Sequence, residues 1–179
     1  MEIEFTKIDE AIVQQAADVV ARTKRKNFTL ITAESCTGGL LASVLSEAPG
    51  AGDRLQGGFT VYTKQQKTIA LGVSPAQLER ETAVSEGVAR AMAEGALTRS
   101  IADISVAVTG VAGPAPDEDG NPVGLVHFAA ARRDFATIHV RRDFGDIGRG
   151  EVRYQSVMQA LALIERAAML DRETGQAAE

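Results

Sequence analysis

A short polar turn holds the residues best suited to chemistry. Ser35, Cys36 and Thr37 are consecutive side chains that can act as nucleophiles, and Gly38 and Gly39 follow them directly. The turn joins an apolar run, typical of a buried strand, to a segment with helical spacing. Backbone N–H groups at such a junction can bind an anion, and glycines let a ligand approach the backbone closely. The turn is therefore a candidate binding or catalytic site.

The same turn has a simpler structural interpretation. Ser35 or Thr37 could cap the following helix by accepting backbone N–H bonds, while the glycines only shape the turn. No Lys-Ser or Lys-Thr pair follows the glycines, so the turn is not a Walker loop, and it lacks the spacing of a dinucleotide-binding fingerprint. Taken alone, the turn is compatible with either a helix cap or a ligand site.

Two further strand ends carry polar side chains. Residues 62–67 follow a second predicted strand, and residues 109–113 follow a third. Ligands of open parallel sheets bind beyond the carboxyl ends of the strands, so neighbouring strands would bring these junctions into one crevice. None of the junctions contains histidine. The base available to activate a serine is then a lysine whose pKa is lowered by burial or nearby positive charge.

Two lysines compete for that role. Lys64 and Lys67 are three residues apart, so they share one face of a predicted helix and spacing alone does not choose between them. A lysine on a short exposed helix is more often solvated than catalytic. A serine paired with lysine is therefore one of two interpretations at this point, the other being a solvated surface.

A pair of arginines begins the last predicted helix. Arg149 and Arg153 are four residues apart, share a face, and could clamp a phosphate or a carboxylate. The alternative is surface pairing with nearby acids such as Asp143, Asp146 or Glu151. Because cations at a helix N-terminus are mildly unfavourable, the pattern favours a ligand for at least one arginine.

Composition narrows the class of protein. The chain has 179 residues, is 45% hydrophobic and carries a formal net charge of -5, which argues against a broad nucleic-acid surface. It has no apolar run of the ~18 residues that a membrane span needs and no signal-peptide pattern, so a cytoplasmic location is expected. The single cysteine, Cys36, excludes an internal disulfide. His127 and His139 are far apart in sequence and are interpreted as ordinary strand residues, so no metal site is expected.

The pattern of elements predicts a three-layer α/β/α fold with a mixed, mostly parallel sheet and an antiparallel hairpin near the C-terminus. Residues 1–170 are predicted to form a single domain, and residues 171–179 a frayed tail. Residues 115–122 are acidic and rich in turn formers, which predicts a mobile loop with solvated carboxylates. Strands are predicted at residues 28–31, 57–62, 102–109, 123–132 and 135–144, and helices at about residues 10–26, 40–47, 64–71, from 75, 85–99 and 149–170.

Together these motifs resemble the C-terminal domain of the competence- and damage-inducible protein family, whose stand-alone members are nicotinamide-nucleotide amidohydrolases. The resemblance covers about residues 10–170 in this order, which makes it specific although each piece is weak. The matching segments are residues 33–39, 58–62 with Lys67, 72–73, 83–86, 109–114, 122–124 and the region of Arg149 and Arg153.

The resemblance implies deamidation of nicotinamide mononucleotide to nicotinate mononucleotide and ammonia, without a cofactor or a metal. It selects Ser35 as the nucleophile and Lys67 as its base, and it makes Tyr62 a catalytic residue that polarises this pair. N–H groups near Gly38 and Gly39 would stabilise the oxyanion, and Arg149 would hold the phosphate. The residues expected to bind substrate are Glu34, Thr37, Gly38, Gly39, Thr109, Gly110, Gly113 and Arg149.

The chain departs from the family pattern twice. Lys64 stands where relatives often have asparagine, and its charge would lower the pKa of Lys67. Gly148 precedes Arg149 where relatives often have Gly-Asp-Arg, which would loosen the placement of that arginine.

The resemblance also carries expectations about partners. It implies a homo-oligomer, dimer or larger, that binds a small-molecule substrate and neither nucleic acid directly nor a membrane. The N-terminal domain of fused relatives is not expected in this chain, which favours a free enzyme. The alternative is a non-catalytic nucleotide-binding or regulatory module linked to competence or DNA-damage responses. Hydrolysis of another amide or of a pyrophosphate is a third possibility, and a pyrophosphatase would need acidic metal ligands.

Overall fold

The computed structural model describes residues 8–170 and places one five-stranded sheet between two layers of helices. The strand order is β2-β1-β3-β4-β5, in which β1 pairs in parallel with β2 and β3, whereas β4 is antiparallel to both β3 and β5. The predicted three-layer fold with a mixed sheet is confirmed. The expected tail at residues 171–179 lies outside the described residues. The strands are β1 Leu30–Glu34, β2 Leu55–Thr60, β3 Ile104–Gly110, β4 Leu125–Arg132 and β5 Ile138–Asp143, and the helices are α1 Glu10–Arg25, α2 Leu40–Ser46, α3 Lys64–Leu71, α4 Pro75–Glu81, α5 Glu86–Thr98 and α6 Arg149–Met169.

The strand bounds differ from the prediction by a few residues. Strand β1 continues to Glu34 instead of ending at Ile31, and Thr32 and Glu34 within it are fully buried. The Thr32 hydroxyl donates to Glu34 Oε1 at 3.2 Å, so these polar side chains satisfy each other inside the core. The predicted strand is therefore too short at its C-terminal end, because the polar pattern after Ile31 indicated the start of a turn. The hairpin strands are also shorter than predicted, and residues 133–137 connect them instead of the two-residue turn at 133–134.

The predicted helix caps are confirmed at three positions. The side chains of Asp9, Thr63 and Ser85 accept the N–H groups of Ile12, Gln66 and Val88, respectively. Helix α3 ends at Gly72 in the left-handed conformation, as expected. These caps fix where α3 and α5 begin, and both of these points border the candidate site.

The helices bury both faces of the sheet. Helices α1, α2 and α6 form one apolar cluster with the sheet, and α3, α4 and α5 form a second on the opposite face. The parallel strands β1, β2 and β3 all end at the same edge, so the turns that follow them are neighbours. Within residues 8–170, no helix is both long and apolar enough to cross a membrane.

The two histidines lie in strands, as predicted, and the structure also brings them into contact, which the sequence alone does not anticipate. His127 Nδ1 on β4 lies 3.1 Å from His139 Nε2 on β5, and His139 Nδ1 lies 3.4 Å from Glu86 on α5. In the antiparallel pairing His139 opposes Ala129, two residues from His127, so the histidines are diagonal neighbours on one face. Their proximity depends on strand register, which the sequence pattern does not specify.

This pair predicts a loss of stability in mild acid. Burial, and next the charge of His139, lower the pKa of His127 from 6.5 to about 4. Below pH 6.5 the imidazole of His127 is therefore protonated in the unfolded chain but still neutral in the folded chain. The free energy of unfolding should fall by about 2 kcal/mol as the pH drops from 6.5 towards 4. Urea unfolding of the wild type and His127→Gln at pH 7.5 and pH 4.5 measures this contribution. An equal pH dependence in both proteins would contradict it.

Candidate functional site

Ser35 and Lys67 meet at the carboxyl edge of the sheet. Lys67 Nζ donates to Ser35 Oγ at 2.9 Å and to the Val61 carbonyl at 3.2 Å. Ser35 directly follows β1, and Lys67 lies in α3, the helix after the neighbouring strand β2. Lys67 is 1% exposed and Ser35 is 7% exposed. The fold thus places a buried hydroxyl and a buried amine in contact.

The two candidate lysines differ in environment. Burial lowers the pKa of Lys67 from 10.5 to about 8, and the charge of Lys64 acts in the same direction. The Lys64 ammonium instead lies 2.8 Å from Asp119 and 3.0 Å from Glu118, and these hydrogen bonds raise its pKa. Lys67 is therefore the better base, because a useful fraction of it is neutral near pH 8 and it contacts the serine.

A cavity of about 420 Å³ opens beside the Ser35–Lys67 pair. Its walls come from the turns after β1, β2 and β3, from the link between α4 and α5, from residues 115–119 and from the first residue of α6. Seven of the predicted site residues line it: Ser35, Tyr62, Lys67, Thr109, Gly110, Gly113 and Arg149. Four others lie outside its lining: Glu34, Thr37, Gly38 and Gly39.

Glu34 caps helix α2 instead of facing the cavity. Its carboxylate accepts the N–H groups of Gly39 at 3.1 Å, Leu41 at 3.0 Å and Ala42 at 2.9 Å. The side chain is 1% exposed, so its oxygens are committed to the protein. The structure therefore places Glu34 outside the cavity where substrate binding is predicted, and neither predicted hydroxyl of the turn caps the helix. The cap comes from a side chain on the preceding strand, five to eight residues before the N–H groups that it binds. Local sequence spacing does not reveal this contact.

The glycines of the turn have a conformational role. Gly38 and Gly39 have φ angles of +62° and +93°, a region that favours glycine. The Gly38 N–H donates to the Ser35 carbonyl at 3.1 Å, and the Gly39 N–H is bound by Glu34. Thr37 is fully buried, and its carbonyl accepts a 2.7 Å bond from Arg153. The structure therefore places Thr37, Gly38 and Gly39 outside the cavity lining, with the N–H groups of both glycines already bonded within the protein.

Other backbone donors are available to a substrate oxygen. The N–H groups of Cys36, Ala112 and Gly113 donate to no oxygen within residues 8–170, and all three residues line the cavity. Cys36 directly follows the serine, whereas Ala112 and Gly113 follow the adjacent strand β3. Two sides of the cavity therefore carry N–H groups without a protein partner among the described residues; Gly113 is among the predicted substrate-binding residues, whereas Cys36 and Ala112 are not. The Thr-Gly-Val-Ala-Gly run at residues 109–113 was the available signal, since glycine-rich strand ends often present such groups.

The remaining predicted residues occupy different parts of the cavity wall. Tyr62 is 59% exposed, and its hydroxyl accepts from Arg149 Nη2 at 3.4 Å and bonds to neither Ser35 nor Lys67. Tyr62 therefore lines the cavity without contacting the pair, and its predicted role in polarising that pair stays a prediction. The Thr109 hydroxyl donates to a backbone carbonyl at 2.7 Å, which leaves its oxygen able to accept a bond. Arg149 Nη1 donates to the Gly113 carbonyl at 2.8 Å.

The acidic loop, residues 115–122, makes specific contacts and is not merely solvated as predicted. Asp119 and Glu118 pair with Lys64 on α3, and the Asn121 amide donates to the Thr82 hydroxyl at 3.3 Å. The loop therefore joins two walls of the cavity. Within residues 8–170, no group of three or more histidine, cysteine or acidic side chains has a metal-binding arrangement.

Cys36 is poorly suited to nucleophilic attack although it lines the cavity. Its side chain is 5% exposed, and burial raises the pKa of the thiol to about 12. The thiolate is the reactive form of cysteine, and it is scarce at neutral pH with such a pKa. The environment of the turn therefore favours the serine that contacts Lys67.

Comparisons with known proteins agree with this fold. The competence/damage inducible protein CihA from Agrobacterium tumefaciens has a crystal structure with a TM-score of 0.85 and 39% identity, covering 93% of this chain and 99% of that chain. A competence-damaged protein (CinA) superfamily protein from Escherichia coli gives a TM-score of 0.82 and 36% identity, covering 92% and 98% of the two chains.

Sequence relatives identify the same family. CinA-like proteins from Synechococcus sp. (strain RCC307) and Thermosynechococcus vestitus are 47% and 42% identical over 83% and 87% of this chain. The matches cover only 36% and 38% of those proteins, so the chain spans little more than a third of the length of these curated relatives. The sequence matches the CinA C-terminal domain over residues 12–168. The chain therefore belongs to the CinA C-terminal domain family.

Proposed function

We propose that this chain hydrolyses the carboxamide of nicotinamide mononucleotide to nicotinate mononucleotide and ammonia, a step in recycling the pyridine ring for NAD synthesis. The observation that carries the proposal is the buried 2.9 Å contact between Ser35 and Lys67 at the wall of the cavity. A volume of about 420 Å³ suits a mononucleotide, and Arg149 supplies a cation for its phosphate.

The proposed reaction is acyl transfer through a serine ester. Neutral Lys67 accepts the Ser35 proton while Ser35 Oγ attacks the carboxamide carbon, which gives a tetrahedral intermediate. The N–H groups of Cys36 and of residues 112–113 hold the oxyanion, a stabilisation worth ~3 kcal/mol per donor. Lys67 then returns the proton to the amide nitrogen, which leaves as ammonia. Lys67 then deprotonates a water molecule that attacks the ester carbon, and it returns this proton to Ser35 Oγ as the ester bond breaks. The acid product leaves as its carboxylate after losing a proton to solvent.

The pH dependence of this reaction follows from Lys67. Only its neutral form accepts the serine proton, and its pKa is lowered to about 8. We therefore expect kcat/KM to rise about tenfold per pH unit below 8 and to level off above it. Initial rates between pH 6 and 9.5 measure the profile, with circular dichroism at each pH as the control for folding. A rate independent of pH below 8 would contradict the assignment of the base.

Ammonia release from nicotinamide mononucleotide, with nicotinate mononucleotide identified by chromatography, tests the proposed activity. Turnover by the wild type supports it. Tight binding of the nucleotide without ammonia release would instead favour the non-catalytic module. No contact in the cavity specifically supports that alternative.

We also infer that the protein is a homo-oligomer, a dimer or larger, and that it acts in the cytoplasm. Size-exclusion chromatography coupled to light scattering measures the oligomeric state.

A further inference from the structure

The start of helix α6 is tied to two walls of the cavity. Arg149 Nη1 donates to the Gly113 carbonyl at 2.8 Å, and Arg153 Nη2 donates to the Thr37 carbonyl at 2.7 Å. Both bonds run from a charged donor to a backbone oxygen, which makes them stronger than neutral hydrogen bonds. Gly113 follows β3, whereas Thr37 lies two residues after the nucleophile. One helix therefore holds both sides of the candidate active site.

The contact at Thr37 occurs where the backbone is least regular. The two residues that follow it, Gly38 and Gly39, both have positive φ angles. A Cβ atom built on Gly38 would lie 3.8 Å from Arg153 Nη2, so the guanidinium packs against the turn itself. Arg153 is outside the lining of the cavity and is therefore placed to act on the turn, not on a ligand.

We propose that Arg153 is a positioning residue that fixes the nucleophile turn relative to the N–H groups of residues 112–113. The spacing of four residues between Arg149 and Arg153 lets one rigid helix set the separation of these walls. The proposal rests on the proposed function for its catalytic consequence. It assigns the two arginines different roles, since only Arg149 reaches the cavity.

The test measures the reactivity of Ser35 as well as turnover. A sulfonyl fluoride, phenylmethanesulfonyl fluoride, forms a sulfonate ester with an activated serine and releases fluoride, and intact-protein mass spectrometry follows the modification. We expect Arg153→Met to slow sulfonylation of Ser35 and to lower kcat by about tenfold each, with KM changed less than about twofold, because the turn is misplaced while the cavity lining is intact. Arg166→Met, an exposed arginine on the same helix, is the matched control.

A conservative variant keeps the test decisive. Arg153→Lys retains the charge and a single donor nitrogen, so kcat should fall only about threefold and Ser35 should still react more slowly than in the wild type. If Arg153→Met does not fold, Arg153→Lys alone tests the positioning role of Arg153. Folded variants that sulfonylate Ser35 at the wild-type rate would overturn the proposal. Failure of the wild type to release ammonia while Ser35 still reacts would reject the proposed substrate but leave the positioning role measurable.

Discussion

Replacing Lys67 with methionine is expected to lower kcat/KM for deamidation by at least about 1000-fold, and Ser35→Ala should have a similar effect. Methionine preserves most of the side-chain volume but removes the amine that contacts Ser35 Oγ, so the serine keeps its proton and remains a weak nucleophile. The double variant should be little worse than either single one, because the two groups act as a unit. Ammonia release under saturating and limiting nucleotide measures the effect.

Two control variants separate this effect from a general loss of charge. Lys64→Met removes the ion pairs to Asp119 and Glu118 but not the base, so the loss should stay below about tenfold. Lys24→Met alters an exposed ion pair with Asp53 and should leave activity unchanged. A larger loss in Lys64→Met than in Lys67→Met would assign the base to Lys64 and contradict the proposed dyad.

Replacing Glu34 with alanine is expected to destabilise the fold by about 3–5 kcal/mol. The carboxylate accepts three backbone N–H groups at the start of α2, and their loss leaves several buried donors without an acceptor. Glu34→Gln keeps one oxygen acceptor but turns an amide towards the N–H groups, so an intermediate loss is expected. Urea unfolding monitored by circular dichroism measures both changes.

The exposed Glu47, at the other end of the same helix, provides the comparison for Glu34. Glu47→Ala should change the free energy of unfolding by less than about 0.5 kcal/mol, since the residue is solvated. Equal effects of the two substitutions would show that the buried contacts of Glu34 contribute nothing specific. Activity of Glu34→Gln should also fall, because the capped helix supports the turn that carries Ser35.

The sequence predicted what depends on local chemistry. Helical spacing and capping residues placed α1, α3 and α5 correctly, and the rule for parallel sheets brought Ser35 and Lys67 to one edge. Register and long-range bonds decided the rest. The contact between His127 and His139 depends on how β4 pairs with β5, and the cap from Glu34 depends on a side chain turning forward across five residues. Neither leaves a periodic signature in the chain.

The N–H groups predicted to bind the oxyanion differ from those that the structure leaves without a partner in the described part of the chain, for a related reason. Two adjacent glycines beside a nucleophile suggest free N–H groups, but whether such a group is free depends on what else is within reach. Glu34 and the Ser35 carbonyl already bind the N–H groups of Gly39 and Gly38. The two glycines indicated an unusual backbone conformation. Only the hydrogen-bond partners in the structure distinguish N–H groups that are available to a ligand from those already bonded within the protein.

The burial of Cys36, next to Ser35, affects how the protein responds to oxidising and alkylating agents. Peroxide and alkylating agents react with accessible thiolates, and Cys36 is buried with a pKa raised to about 12. In the proposed reaction a serine performs the attack, while the neighbouring thiol of Cys36 stays protonated. Oxidants that would inactivate an enzyme with a cysteine nucleophile should therefore leave the proposed reaction unaffected.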